Sequence, residues 1–131
     1  MDDVEYFPVT DSLTSMRLPF SEAVRVGQLL YLSGALGIEA TGALVTGGIE
    51  AETRQAMENI RAVLERHGSS MDRVIKCTAM LADMADWPAM NRAYVEFFPT
   101  HLPARSAFGA AGLALGGRVE IEAVALVDEG A

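Results

Sequence analysis

Along residues 118–127 the side chains alternate in a two-residue period. Val119, Ile121, Ala123 and Ala125 fall on one side of an extended chain, and Glu120, Glu122, Val124 and Leu126 fall on the other. The first set is apolar throughout and belongs against a core; the second mixes carboxylates with large aliphatics. The clearest helical period lies at 49–67, where Ile49, Thr53, Ala56, Met57, Ile60, Val63 and Leu64 share one stripe. Glu50 and Glu52 suit the N-terminal end of its dipole, Arg66 suits the other end, and Gly68 stops it. A strand at 73–82 follows, with Ile75, Cys77, Ala79 and Leu81 predicted on one face. Asp86 is the expected cap of a second helix, with Pro88 in its first turn and Met90, Tyr94, Phe97 and Phe98 as its apolar stripe. Pro99 helps to end it, and a strand at 105–110 leads into the final one.

The N-terminal half reads as a short strand at 4–9, a loop over 10–22, and two strands at 23–27 and 29–34 around a tight turn at Gly27–Gln28. Residues 35–48 are Gly-rich and irregular, with a short extended piece at 43–45. The predicted order is β-β-β-α-β-α-β-β in one domain spanning 1–131. This is an α+β fold with a single sheet and two helices packed on one face. No helix remains for the face that carries Glu120, Val124 and Leu126. A half-apolar open face of that size predicts a homo-oligomer with Glu120 near the interface. Arg105 and Ala107 share a face of the preceding strand, so Arg105 is expected to project into the same space as Glu120.

Composition narrows the possibilities. A net charge of -8 over 131 residues, without a Lys/Arg cluster, argues against nucleic acid as a partner. No apolar run reaches the roughly 18 residues needed to span a membrane. The acidic start, Met1-Asp2-Asp3-Val4-Glu5, does not resemble a signal peptide, and a cytoplasmic protein is expected. Cys77 is the single cysteine and sits in an apolar strand, where a buried structural thiol is favoured over a nucleophile. His67 ends a helix and His101 follows Pro99. No His/Cys/Asp/Glu set has metal-ligand spacing, so no metal is expected. Gly47–Gly48 lacks the partners of a phosphate-binding loop and serves as a turn before the helix.

The candidate chemistry lies near the C-terminus. Arg105, in Pro103-Ala104-Arg105-Ser106, opens an apolar stretch, and Glu120 sits inside the strand alternation. An arginine can hold a small carboxylate through two parallel hydrogen bonds. A half-buried glutamate can move a proton or orient a water. Together they suit a small carboxylate-bearing molecule that reacts with water. The alternative is a structural ion pair between the two on neighbouring strands, and these two residues alone do not separate the possibilities.

Several further segments join these in one order and spacing: Pro19-Phe20-Ser21-Glu22-Ala23-Val24, Leu32-Ser33-Gly34, Thr53-Arg54-Gln55-Ala56-Met57-Glu58-Asn59-Ile60, Asn91-Arg92-Ala93-Tyr94-Val95-Glu96-Phe97-Phe98 and Val119-Glu120-Ile121-Glu122-Ala123. From about Pro19 to Val127 the chain resembles the YjgF/RidA family of reactive-intermediate deaminases, also called the L-PSP endoribonuclease family. The resemblance implies a chorismate-mutase-like fold and a homotrimer with three clefts between subunits. It implies hydrolysis of 2-imino acids, the tautomers of enamines such as 2-aminoacrylate, to 2-keto acids and ammonia, with no cofactor. By the same resemblance Arg105 binds the substrate carboxylate and Glu120 positions or activates the water. Backbone at Ser33, Gly34 and Ala107 lines the cleft, and Asn91 belongs to the matching helix motif. Phe20 stands where the family archetype has tyrosine and Ala107 where it has cysteine. Glu22 and Ala35 replace glutamine or other polar residues. These departures bear on the substrate range. Two other functions compete: a small-acid-binding regulatory module using the same cleft without turnover, and a ribonuclease or translation inhibitor. The acidic charge and the lack of a histidine pair count against the latter.

Overall fold

The computed structural model describes residues 3–10 and 18–128. Its elements are β1 (Val4–Pro8), β2 (Ser21–Val26), β3 (Leu29–Leu32), β4 (Ala35–Leu36), α1 (Ile49–Arg66), β5 (Val74–Leu81), α2 (Trp87–Tyr94), β6 (Ala104–Gly109) and β7 (Val119–Leu126). One sheet runs β1-β2-β3-β7-β5-β6, with β4 pairing β7 beyond the end of β3. All pairs are antiparallel except β5 with β6, which are joined through α2 in a parallel crossover. Most of the predicted loop over 10–22 lies outside the described residues; its last two positions, Ser21 and Glu22, already belong to β2.

Both helices cover one face of the sheet, and the core lies between them. Met57, Ile60 and Leu64 of α1 are buried against Leu30, Ile121 and Ala125, and Met90, Tyr94, Phe97 and Phe98 extend the core at the α2 end. Each large aliphatic buried in this layer stabilises the fold by about 1.5–3 kcal/mol. The alternation read from β7 is realised: Val119, Ile121, Ala123 and Ala125 are buried, whereas Glu122 is exposed and Glu120, Val124 and Leu126 are half-buried on the open side.

Three details differ from expectation. Ile75 does not share the inner face with Cys77, Ala79 and Leu81. The register against β7 slips between Val74 and Lys76, and this bulge turns Val74 inward and leaves Ile75 43% exposed. The aspartate that caps is Asp83, whose carboxylate accepts from the Ala85 N–H at 2.9 Å at the start of a 3-10 turn (Met84–Asp86); Asp86 makes no side-chain cap. The supposedly irregular stretch after Gly34 contains β4, and an isolated bridge joins Ile38 to Leu44.

Candidate active site

Two charged half-sites emerge, one on each face of the sheet. The first is built on β6, the edge strand. Parallel pairing sets Arg105 opposite Cys77 and Ala107 opposite Ala79. Cys77 and Ala79 are buried beneath the helices, so Arg105 and Ala107 face the helix side. Glu120 stands opposite Met80 on β5 and Leu36 on β4, on the open side. Arg105 and Glu120 of one chain therefore do not share a space, contrary to the expectation from alternation. The same geometry removes the ion-pair alternative within the chain. Arg105 lies on α2, with its guanidinium carbon 4.8 Å from the centre of the Tyr94 ring and 5.9 Å from that of Trp87. Its Nη1 is 3.9 Å from Met90 Sδ. Trp87, Met90 and Tyr94 recur at i, i+3 and i+7, so one stripe of α2 provides this bed. The apolar stripe of α2 carries this spacing in the sequence, but a stripe of that kind reads as core and gives no reason to select Trp87.

The second half-site is built where β7 changes partner. It pairs with β3 through Tyr31↔Val124, then with β4 from Ala35↔Ile121, with one extra residue inserted at Ser33–Gly34. Ser33 fixes this notch: its Oγ donates to the Ser21 carbonyl at 2.6 Å, beside Phe20, and its N–H donates to the Glu22 carbonyl at 3.1 Å. Phe20 is 49% exposed. The Glu120 carboxylate lies against the bare Cα of Gly34, where any Cβ would collide with Glu120 Oε2. Burial first, and then repulsion from Glu122, push the Glu120 carboxyl above its ordinary value. A carboxylate held in that way is suited to take a proton from water. The start of β7 is pinned from α1: the buried Glu52 accepts the Arg118 N–H at 2.8 Å and lies 3.5 Å from Arg118 Nε.

The other expected residues divide between the halves. Asn91 lies on α2, with its Oδ1 buried and without a hydrogen-bond partner among the described residues. Cys77 is buried, and burial pushes its thiol up, which suits a packing role. Tyr94 is driven the same way by burial and the neighbouring thiol. The Glu22 backbone helps to fix the notch, but its side chain belongs to neither half. Its buried carboxylate accepts Nε and Nη2 of Arg66, both at 3.1 Å, lies 2.7 Å from His67 Nε2, and accepts the N–H and hydroxyl of Thr10. Its replacement of a neutral residue thus concerns the end of α1 rather than a cleft. A surface depression of 410 Å³ opens near the starts of β5 and β6, lined by Asp72, Ile75, His101, Leu102 and Leu126; none of the candidate residues lines it. Among the described residues, no group of three or more His, Cys, Asp or Glu is arranged to hold a metal, and no helix is long and apolar enough to cross a membrane.

The fold is α+β, with an arginine on the helix side of the edge strand and a half-buried carboxylate on the open side of β7. The family model described as Endoribonuclease L-PSP matches residues 12–127, and the chain belongs to that family. It is 45% identical over 109 residues to a 2-iminobutanoate/2-iminopropanoate deaminase of Capra hircus, covering 82% of this chain and 80% of that protein. Among solved structures, the yeast protein YEO7 superposes with a TM-score of 0.86 at 34% identity, covering 96% of this chain and all of that one. RidA from an Antarctic Psychrobacter gives a TM-score of 0.81 at 34% identity, covering 93% and 94%.

Proposed function

We propose that the protein hydrolyses 2-imino acids of the 2-iminopropionate and 2-iminobutanoate type, and their enamine tautomers, to 2-keto acids and ammonia. It acts as a homotrimer whose clefts lie between subunits. Imine deamination is the activity named for relatives 40–45% identical over most of the chain. The observation that carries the assembly is the placement of Arg105 and Glu120 on opposite faces of one sheet. A single chain cannot bring both to one substrate, but a second copy docked by its open face can supply Glu120 to the Arg105 edge of the first.

In such a cleft Arg105 holds the substrate carboxylate and orients the adjoining C=N carbon. Glu120 accepts a proton as water adds to that carbon and passes it to the imine nitrogen. The resulting carbinolamine collapses, the C–N bond breaks, ammonia leaves, and the 2-keto acid remains. Positioning supplies much of the rate, because the free imine already reacts with water. Ser33, Gly34, Phe20, Ala107 and Asn91 shape the cleft through backbone and packing. The endoribonuclease of the family's description is not favoured here. The chain carries a net charge of -8, and His67 is committed to Glu22. A cytoplasmic location accords with a lone, buried cysteine.

The test mixes two inactive variants, Arg105→Met and Glu120→Gln, unfolds and refolds them together, and follows loss of 2-iminopropionate generated in situ. If the cleft is shared between subunits, random assembly restores about a quarter of wild-type activity. No restoration in sedimentation-verified mixed trimers would sink the shared cleft, and an inactive wild type would sink the deaminase.

A further inference from the structure

The aromatic bed beneath Arg105 calls for an explanation beyond packing. Elsewhere in the described residues Arg54, Arg61, Arg66, Arg73, Arg92 and Arg118 each pair with a carboxylate. Arg105 pairs with none among the described residues; its guanidinium carbon lies over the rings of Tyr94 and Trp87 instead. Tyr94 is 5% exposed and forms the floor, while Trp87, 41% exposed, stands at the rim. Met90 Sδ meets Nη1 at 3.9 Å. The Nε and Nη2 edge faces no acceptor among the described residues.

We infer that Tyr94 and Trp87 are positioning residues for the deaminase reaction: they hold the Arg105 guanidinium flat without neutralising it, so that the substrate carboxylate docks side-on to its Nε–Nη2 edge. This rests on the proposed role of Arg105 in substrate binding. An aromatic face attracts a guanidinium through the ring quadrupole yet offers no acceptor for its in-plane N–H groups. A carboxylate in the same place would hold the side chain equally well, but it would occupy the donors and cancel the charge that the substrate must find. The bed therefore fixes orientation and leaves affinity for the ligand. Tyr94 is the larger contributor, since its ring is closer to the guanidinium carbon and almost fully desolvated, whereas Trp87 sits near the limit of useful distance.

A positioning role acts on substrate binding and leaves the water-attack step alone. Trp87→Leu should raise KM for 2-iminopropionate about two- to fivefold, and Tyr94→Leu about ten- to thirtyfold, with kcat within about twofold of wild type. Trp87→Phe and Tyr94→Phe keep a ring under the cation and should stay within about threefold; the Tyr94 hydroxyl lies beside the buried Cys77 thiol and is not part of the ring face under Arg105. Calorimetric titration with the product acid 2-oxobutanoate should show the same ranking in Kd. Trp87 is half-exposed, so its variants remain informative if Tyr94→Leu fails to fold. Wild-type KM and Kd in folded Trp87→Leu, or equal losses in the leucine and phenylalanine variants, would overturn the inference while leaving the deaminase intact. A wild type that neither turns over the imine nor binds 2-oxobutanoate would overturn the function on which it rests.

Discussion

Glu22→Gln isolates a charged network built on a buried carboxylate outside the proposed cleft. Glu22 is 7% exposed and receives two hydrogen bonds from Arg66, one contact from His67 and two from Thr10. Phe7 stacks on His67 with ring centres 4.0 Å apart, so the network also ties β1 to the end of α1. Glutamine keeps an acceptor for Thr10 but turns an amide donor toward Arg66 or His67. Breaking a fully buried ion pair costs about 3–5 kcal/mol. Arg66 is 36% exposed and can return to water, so about 2–3 kcal/mol is expected here. Burial works to raise the Glu22 carboxyl, yet the hydrogen bonds from Arg66 and His67 outweigh it and hold it below its ordinary value. The sign follows: a carboxylate lowered on folding contributes stability above its unfolded value and loses it as the pH falls through the folded one. Urea midpoints at fixed protein concentration should therefore separate wild type from Glu22→Gln most widely at neutral pH. The two should converge once the medium is acidified below the ordinary carboxylate range. Turnover at pH 7 should be unchanged within about twofold, since the network touches neither half-site. Equal midpoints at neutral pH, or a gap that widens on acidification, would refute the argument.

Arg105→Lys keeps the charge but loses the planar two-pronged grip, and kcat/KM for 2-iminopropionate should fall at least about tenfold, with the fold intact by circular dichroism. Gly34→Ala places a methyl group where Glu120 Oε2 lies; the flexible carboxylate yields, so stability should drop by only about 1 kcal/mol while turnover drops much further, both read on the same preparation. Glu120→Gln removes a charge that burial and Glu122 disfavour. A carboxyl raised on folding loses stability as pH rises through its folded value, so at neutral pH this variant should be slightly more stable than wild type, by about 0.5 kcal/mol or less, yet almost inactive. Denaturant midpoints and imine assays check both halves of that outcome.

What was legible in the chain was periodicity; what was not was phase and partner. The stripe of α1 and the alternation of β7 are long enough to declare which residues face the core, and both are realised. In β6 the pattern is short: Arg105 and Ala107 alternate with Ala104, Ser106 and Phe108, and nothing local says which set faces inward. The apolar Phe108 ends 48% exposed, and the charged Arg105 turns toward α2. That choice is imposed by parallel pairing with β5 through a crossover, a long-range constraint that no window of sequence contains. The bulge at Ile75 and the notch at Ser33–Gly34 each shift register by one residue, and an alternating pattern cannot announce its own interruption. Glycine at position 34 is recognisable as a motif residue, but what requires it is the Glu120 side chain packed against its Cα, a contact that no local stretch of sequence contains.

Burial of charge is not what marks the candidate site. Glu22 and Glu52 are more deeply buried than Glu120, yet each is surrounded by donors that suit its charge. Glu120 instead faces a bare glycine and a second carboxylate, and Arg105 faces aromatic rings and a sulfur. Each departs from the rule that a charge removed from water meets its opposite: Arg105 is left without an anion where a carboxylate substrate would provide one. The same logic explains why the two groups lie on opposite faces. Were they adjacent in one chain, they would pair with each other and cancel. Held apart by the sheet, they would meet only across the cleft between copies proposed above, where the substrate carboxylate would take the arginine and the glutamate would be left to the water.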